Sequence, residues 1–326
     1  MRMESDIFDE LDLQLLDALE VNARASFARL GEVLGVSDQT VARRYRRLCA
    51  EGGLRVVAVR DAERLGQDQW MLRLRCVPDS AQAIADALAQ RPDTNWIGIA
   101  SGGTEVIFGT RPRSPGDRDD LLLGKLPRTP RVLEIRAHQM LHRFYGGPTG
   151  WLSKFRVLAD DQKAALRNDT VRAAGPARID PEDEPLVAAL ERDGRAGYPE
   201  LQRVTGRSES TVKRRLAALL ASGAVYIDVE YHSETIGYPV AAVLWITTTP
   251  AALASVGKAL ATHDEIAHAA ATAGPCSIVA TAVIRNTADL YTYLSGPLGR
   301  LDGLQHVESS VFLRRVKQLT YQRPAR

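Results

Sequence analysis

Cysteine is scarce: Cys49, Cys76 and Cys276 are the three in a chain of 326 residues. An odd, widely spaced set supports neither a disulfide framework nor a zinc site. Bulk charge is missing too, since 42 Lys and Arg stand against 40 Asp and Glu, a net charge of +2. Any surface for a polyanion must therefore come from local clustering. No uninterrupted apolar run is long enough to span a bilayer. The opening MRMESDIFDELD is acidic and lacks the apolar core of a signal peptide, so a cytoplasmic protein without membrane partners is expected. No Ser/His/Asp set, phosphate-cradling loop or metal-ligand spacing appears. The motifs thus predict no metal, no cofactor and no enzymatic activity.

What is present is a basic amphipathic segment. Ser37 to Leu48, SDQTVARRYRRL, predicts a helix. Ser37 is a good N-cap, its hydroxyl able to accept an orphan backbone N–H of the first turn. Val41, Tyr45 and Leu48 recur at helical spacing as an apolar stripe, while Arg43, Arg46 and Arg47 project elsewhere. Gly35-Val36 makes a turn after the apolar segment Phe27 to Leu34. That is the layout of a helix-turn-helix, whose second helix enters the DNA major groove by its N-terminal end. A lone charge run is usually just a solvated face. Here the pattern returns at Ser208 to Leu219, SESTVKRRLAAL, with Ser37, Thr40, Val41, Arg43-Arg44 and Leu48 matched in register by Ser208, Thr211, Val212, Arg214-Arg215 and Leu219.

The repetition extends over most of the chain, which is long enough for about two to three average domains. Leu15 aligns with Leu186, Leu19 with Leu190, Arg24 with Arg195, Phe27 with Tyr198, Leu30 with Leu201, Gly35 with Gly206 and Gly66 with Gly237. Later matches slip by a few residues, as surface insertions would produce. A tandem duplication is predicted. In each copy the helical trio is followed by a strand placed to form a wing, Leu54–Arg60 or Val225–Tyr231. Then come strands and helices in the order βαββαβ, a ferredoxin-like split unit. The fold class expected is α+β, with two winged helix-turn-helix domains and two βαββαβ domains in tandem. The expected bounds are 1–60 and 61–143 for the first copy, 144–178 for a crossover, and 179–231 and 232–326 for the second. In the crossover, Trp151, Leu152, Phe155 and Val157 read as ordered, and Gly175-Pro176 as a flexible exit.

A helix-turn-helix, a linking strand and a βαββαβ domain together resemble the Lrp/AsnC family of transcription regulators. FDELDLQLLDALEVNAR, LGEVLGVSDQTVARRYRRL and GLQHVESSVFLRRVK carry the resemblance. It implies sequence-specific DNA binding, sheet-to-sheet pairing of the C-terminal domains, homo-oligomers, and a small-molecule effector, commonly an amino acid. The effector positions implied are Gly102, Gly103, Thr104 and Glu105 in the first copy, and Gly274, Pro275, Cys276 and Ser277 in the second. Relatives commonly carry an aspartate where Glu105 and Ser277 stand, and these glycines equally suit plain tight turns.

On DNA, residues early in each recognition helix are expected to reach base edges. These are Asp38, Gln39, Thr40 and Arg43 in the first copy, and Glu209, Ser210, Thr211 and Lys213 in the second. Ser37, Arg44, Arg46, Arg47, Ser208 and Arg214 complete the expected interface, with Arg46 and Arg47 directed at phosphates. Arg44 and Arg215 have a competing role, pairing with acidic residues of the first helix such as Asp9 or Asp12. Arg46 and Arg47 become Ala217 and Ala218 in the second copy, which predicts unequal readers and an imperfect palindrome as operator.

Two other classes compete. Some relatives of this family resemble it in fold but are siroheme decarboxylases; His138, His142 and His232, with Arg64 and Leu65, are the residues to weigh, and none forms an HxR-type signature. A helix-turn-helix protein that only binds partners, or that wraps DNA without sequence preference, is the third class.

Overall fold

The structure is a computed structural model and describes residues 8–167 and 177–320. In chain order its first half runs α1 (Glu10–Val21), α2 (Phe27–Leu34), α3 (Asp38–Glu51), β1 (Arg55–Arg60) and the short α4 (Ala62–Leu65). There follow β2 (Trp70–Cys76), α5 (Ala81–Ala89), β3 (Thr94–Ala100), β4 (Glu105–Thr110), α6 (Pro115–Asp119) and β5 (Val132–Tyr145). The crossover contributes α7 (Asp160–Leu166). The second half gives α8 (Glu184–Arg192), α9 (Tyr198–Thr205), α10 (Glu209–Ser222), β6 (Val225–Glu230) and β7 (Val240–Thr248). It ends with α11 (Leu253–Leu260), β8 (Ile266–Ala273), β9 (Ile278–Ile284), α12 (Thr287–Tyr293) and β10 (Leu304–Lys317).

The chain divides into two compact units, Met1–Gly66 with Gly147–Gly237 and Gln67–Gly146 with Tyr238–Arg326. The first unit holds both helical trios. Leu15, Leu16, Leu19, Leu30, Val41 and Leu48 are almost fully buried in the first trio, as their helical spacing requires. Leu186, Val187, Leu190, Leu201, Val212 and Leu219 fill the same places in the second. Gly35 ends α2 at φ 69° and Gly206 ends α9 at φ 66°, a conformation that costs glycine little.

The wings expected from the sequence are not formed. β1 pairs antiparallel with β6, from Arg55 opposite Glu230 to Arg60 opposite Val225. After β1 the chain turns directly into α4, capped by Asp61, so no second strand folds back beside it. Each lone strand satisfies its ladder groups on the other. The crossover also starts later than expected, because β5 continues to Tyr145. Trp151, Leu152 and Phe155 are buried, and Gln162, Arg29 and Asn22 tie α7 and its flanks to the first trio through Val33, Ala165 and Leu166 carbonyls. The expected exit at Gly175-Pro176 lies outside the described residues.

The second unit is a closed barrel in the order β10-β3-β4-β2-β5-β8-β9-β7. β5 pairs with β2 over Val132–Gln139 and with β8 over Gln139–Tyr145. β10 does the same with β7 and β3. Bulges at Leu141, between Met140 and His142, and at Leu313, between Phe312 and Arg314, mark where each long strand changes partner. α5 covers one sheet with Leu72, Leu74, Ile84, Leu88 and Phe108 in its core. α11 and α12 cover the other over Leu244, Leu260, Ile278 and Tyr293. Met71, Val243, Trp245 and Cys276 share a further buried cluster.

Leu30 and Leu201, both fully buried, anchor the two trios. Replacing either with Ala should cost about 2–5 kcal/mol in denaturant unfolding, and a loss below about 1 kcal/mol would show that these packing positions are wrongly assigned.

Candidate nucleic-acid interface

The recognition helix of the first trio is α3. Ser37 caps it by accepting from the Thr40 N–H at 3.1 Å, and the two hydroxyls lie 2.9 Å apart. Val41 and Leu48 fix its inner face. Ser37, Asp38 and Gln39 stand exposed at its N-terminal end, with Thr40 half-buried, and Arg43 and Arg46 are exposed along its outer side. Thus the capping and packing that hold the helix leave its first turns facing solvent, the end that enters a major groove.

Two arginines of the expected interface are committed elsewhere. Arg44 donates to Asp9 at 2.7 Å and to Asp12 at 2.9 Å. These bonds raise the Arg44 pKa further, and they help keep the Asp9 carboxyl below its ordinary range against the opposing effect of burial. Arg47, expected at phosphates, pairs with Asp12 and lies over the Phe8 ring at 5.5 Å. The physical reason is the fully buried Asp12: a carboxylate removed from water needs charged partners. Arg44 therefore takes the competing structural role.

The second trio is built alike and differs in charge. Ser208 caps α10 by accepting from the Thr211 N–H at 3.4 Å. Glu209, Ser210, Lys213 and Arg214 are exposed and Thr211 is half-buried. Lys213 pairs with Glu209 at 2.6 Å and sits 4.8 Å from the Tyr198 ring centre. Arg215 holds Asp180 and the buried Asp183, and Arg207 reaches Asp183 at 3.1 Å. Ala217 and Ala218 are exposed where the first trio has Arg46 and Arg47.

Sequence comparison matched Arg24 with Arg195 and gave neither a role. Each lies in the turn before a trio's second helix and bonds the other turn: Arg24 donates to the Gly194 and Ala196 carbonyls, Arg195 to those of Ala23 and Ala25. An arginine repeated beside a helix N-terminus was the available signal.

The expected effector positions fall in the second unit. Ser101, Gly102 and Gly103 take φ of 53°, 68° and 84° between β3 and β4. Glu105 is buried and fully engaged: Arg73 Nε donates to it at 2.8 Å, Ser101 Oγ at 2.8 Å and Ser310 Oγ at 3.1 Å. Arg73 also holds Glu308 and lies over the Trp245 ring at 5.4 Å. Thr104 bonds back to the Ser101 carbonyl. At the second loop, Gly274 has φ 143° and Pro275 precedes the buried Cys276, whose thiol lies 3.3 Å from His138 Nδ1. Ser277 Oγ accepts from the Thr248 N–H at 2.9 Å. The two loops are thus chemically unlike, one built on a buried ion pair and the other on a thiol and an imidazole.

Of the histidines weighed for tetrapyrrole chemistry, His138 is buried and His142 exposed on β5. His232 packs against Gly53 in the other unit. Arg64 donates to the Ser222 carbonyl, and Leu65 packs beside the second trio. Among the described residues no group of His, Cys, Asp and Glu is placed to hold a metal, and no helix is long and apolar enough to cross a membrane.

An AsnC-type helix-turn-helix domain matches residues 8–48, and an Lrp/AsnC ligand-binding domain matches residues 241–321. Each of the two Lrp/AsnC domain types thus has a match in this chain. DNA binding and transcription regulation through a helix-turn-helix are supported by these matches and by named relatives. The chain is 24% identical over 140 residues to the HTH-type transcriptional regulator LrpA of Pyrococcus abyssi, covering 43% of this chain and 99% of that protein. It is 26% identical over 143 residues to the regulator FL11 of the same organism, covering 44% and 94%. In fold, the chain resembles the siroheme decarboxylase NirDL solved with an iron-uroporphyrin III analogue. There the TM-score is 0.63 at 12% identity, over 96% of this chain and 94% of that one.

Arg44→Ala should destabilise the protein by about 2–3 kcal/mol, because Asp12 loses a partner where it is buried. Arg43→Ala should change stability by less than about 0.5 kcal/mol. Denaturant unfolding of both variants checks this, and the reverse order would contradict the assigned roles. Burial, aided by Arg73 and Arg136, lowers His138 to about 4. The neutral ring therefore contributes stability in full above its ordinary pKa of about 6.5 and loses it as pH falls toward 4. His268, also lowered to about 4 by burial, acts with the same sign. Between these pH values the wild-type melting temperature should fall more steeply than that of His138→Gln; parallel curves would count against a buried neutral His138.

Proposed function

We propose that this chain is a sequence-specific DNA-binding transcription regulator of the Lrp/AsnC type, formed by tandem duplication and modulated by a small molecule such as an amino acid. The observation that carries it is the presence of two capped recognition helices, α3 and α10, in one compact unit, each with its N-terminal turns exposed. Gln39 and Arg43 suit adenine and guanine edges, and Arg46 a phosphate. The second reader offers Ser210, Thr211, Lys213 and Arg214. Its weaker charge supports an imperfect palindrome as operator, read more strongly by α3.

An effector acts by stabilising one arrangement of the protein over another. The loops at Gly102–Glu105 and Gly274–Ser277 are the proposed places. At the first, a ligand competes with the Arg73–Glu105 pair. Association of two chains, bringing four readers under closed symmetry, belongs to the same proposal; Leu133, Leu141 and Leu313, exposed on β5 and β10, favour it.

Whole-length likeness to NirDL favours a second function, a siroheme-decarboxylase-like enzyme, through the fold alone. Titration with siroheme separates the two: the regulator gives no specific spectral change, the enzyme does.

In vitro selection from random duplexes tests the regulator directly. A recovered motif bound at least about a thousandfold tighter than unrelated duplex is expected; equal affinity for both would refute site-specific regulation. On the recovered site, Arg43→Ala should weaken binding more than Lys213→Ala. Arg46→Ala should lower the slope of log affinity against log salt by about one. Equal losses at Arg43 and Lys213 on a perfectly symmetric site would contradict unequal readers.

A further inference from the structure

The first unit joins its two recognition helices by a short and densely bonded route. α3 ends at Gly52 and the chain enters β1 within a few residues; α10 ends at Gly223 and enters β6. β1 and β6 then pair along their full length, Arg55 to Arg60 against Glu230 to Val225. The ribbon is tied to the helix ends themselves. His232 N–H donates to the Gly52 carbonyl at 2.9 Å, and Asp61 N–H to the Ala224 carbonyl at 3.0 Å. One side is fastened by Arg60 to Glu184 and Glu191 at 2.7 and 2.8 Å, the other by Tyr231 Oη donating to Glu20 at 2.8 Å.

Beside the ribbon, the arginine exchange forms a second bridge. Arg24 and Arg195 each span two carbonyls of the opposite turn, using the fixed fork of the guanidinium. Arg195 also lies over Phe27 at 4.8 Å and over Tyr45 at 5.4 Å. Tyr45 belongs to α3, so the second trio's turn touches the first trio's recognition helix. Gly194 N–H donates to the Val56 carbonyl at 2.7 Å, and a Cβ on Gly194 would come within 3.0 Å of the Val56 backbone. The ribbon joins the ends of α3 and α10 and the adjoining arginine exchange joins the turns before α2 and α9, so no single connection is left to act as a hinge.

We propose that the β1–β6 ribbon and the Arg24–Arg195 exchange hold the two readers at one separation and orientation, so that the chain accepts a two-part duplex site of a single spacing. The inference rests on the DNA-binding function proposed for this chain. Each base pair inserted between half-sites moves one half by about 3.4 Å and turns it by about 35°. Readers on a flexible tether follow such a change, and tolerate a full added turn; readers fixed by two bridges do neither. Arg24 and Arg195 are positioning residues in this scheme, since neither needs to touch DNA.

The test uses the full chain and a duplex recovered by selection, with one, two, five or ten base pairs inserted between its two parts. Wild type should lose about tenfold or more in affinity at every insertion, including ten, the order of a disrupted half-site contact. Binding within about twofold of the parent at one or ten insertions would overturn the proposal. Arg24→Ala/Arg195→Ala should bind the parent site more weakly and flatten the spacing profile. Arg24→Lys/Arg195→Lys keeps the charge, cannot fork across two carbonyls, and should flatten it likewise; circular dichroism confirms that the variants fold. A profile as steep as wild type in the folded lysine variant would remove the arginines from the mechanism. Should selection return no preferred sequence at all, site-specific DNA binding fails, and this inference with it; a motif with a flat wild-type profile sinks the inference alone.

Discussion

Unpaired strand edges constrain this architecture more than any single core contact. A lone strand or an open sheet presents a row of backbone donors and acceptors that must find partners. Here each half of the chain supplies what the other lacks. Among the described residues β1 has only β6 and β6 only β1. β5 and β10 are each 14 residues long, long enough to finish their own sheet and then cross to β8 or β3 of the other. The barrel closes as a result. Both units are therefore built from strands of both halves, and neither half alone satisfies its backbone.

That dependence bears on function. Pairing β1 with β6 ties together the two helices from which those strands emerge, and the paired arginines add a second bond between the trios. The exposed ends of α3 and α10 are consequently parts of one body. Their chemistry is graded: Arg43 and Arg46 lie open on α3, while α10 carries Lys213 tied to Glu209 and alanines farther along. In the second unit the loops at Gly102–Glu105 and Gly274–Ser277 differ as well, Glu105 with Arg73 against Cys276 with His138. The two halves of the chain thus differ in chemistry in both units.

Much of this was legible in the amino-acid order. Serine caps, apolar spacing and the glycine turns located α2–α3 and α9–α10, and alternation located the strands, because those signals are local. What was hidden depends on distant partners. LRVVAVR reads as a strand whether it folds into a wing or pairs with a segment far along the chain. The RRYRR run shows basic charge but not that Asp12 is buried beneath it, which is why Arg47 turned inward. β5 read short because the bulge at Leu141 breaks its alternation where the strand changes partner. Arg24 and Arg195 were visible as a repeat, yet the carbonyls they bind carry no sequence signature.

Hydroxyl-radical footprinting of the full chain on its selected duplex tests the central claim most directly. Two protected segments on one face of the duplex, centred a whole number of helical turns apart and unequal in depth, are predicted. A single protected segment, or uniform protection along the duplex, would contradict the account.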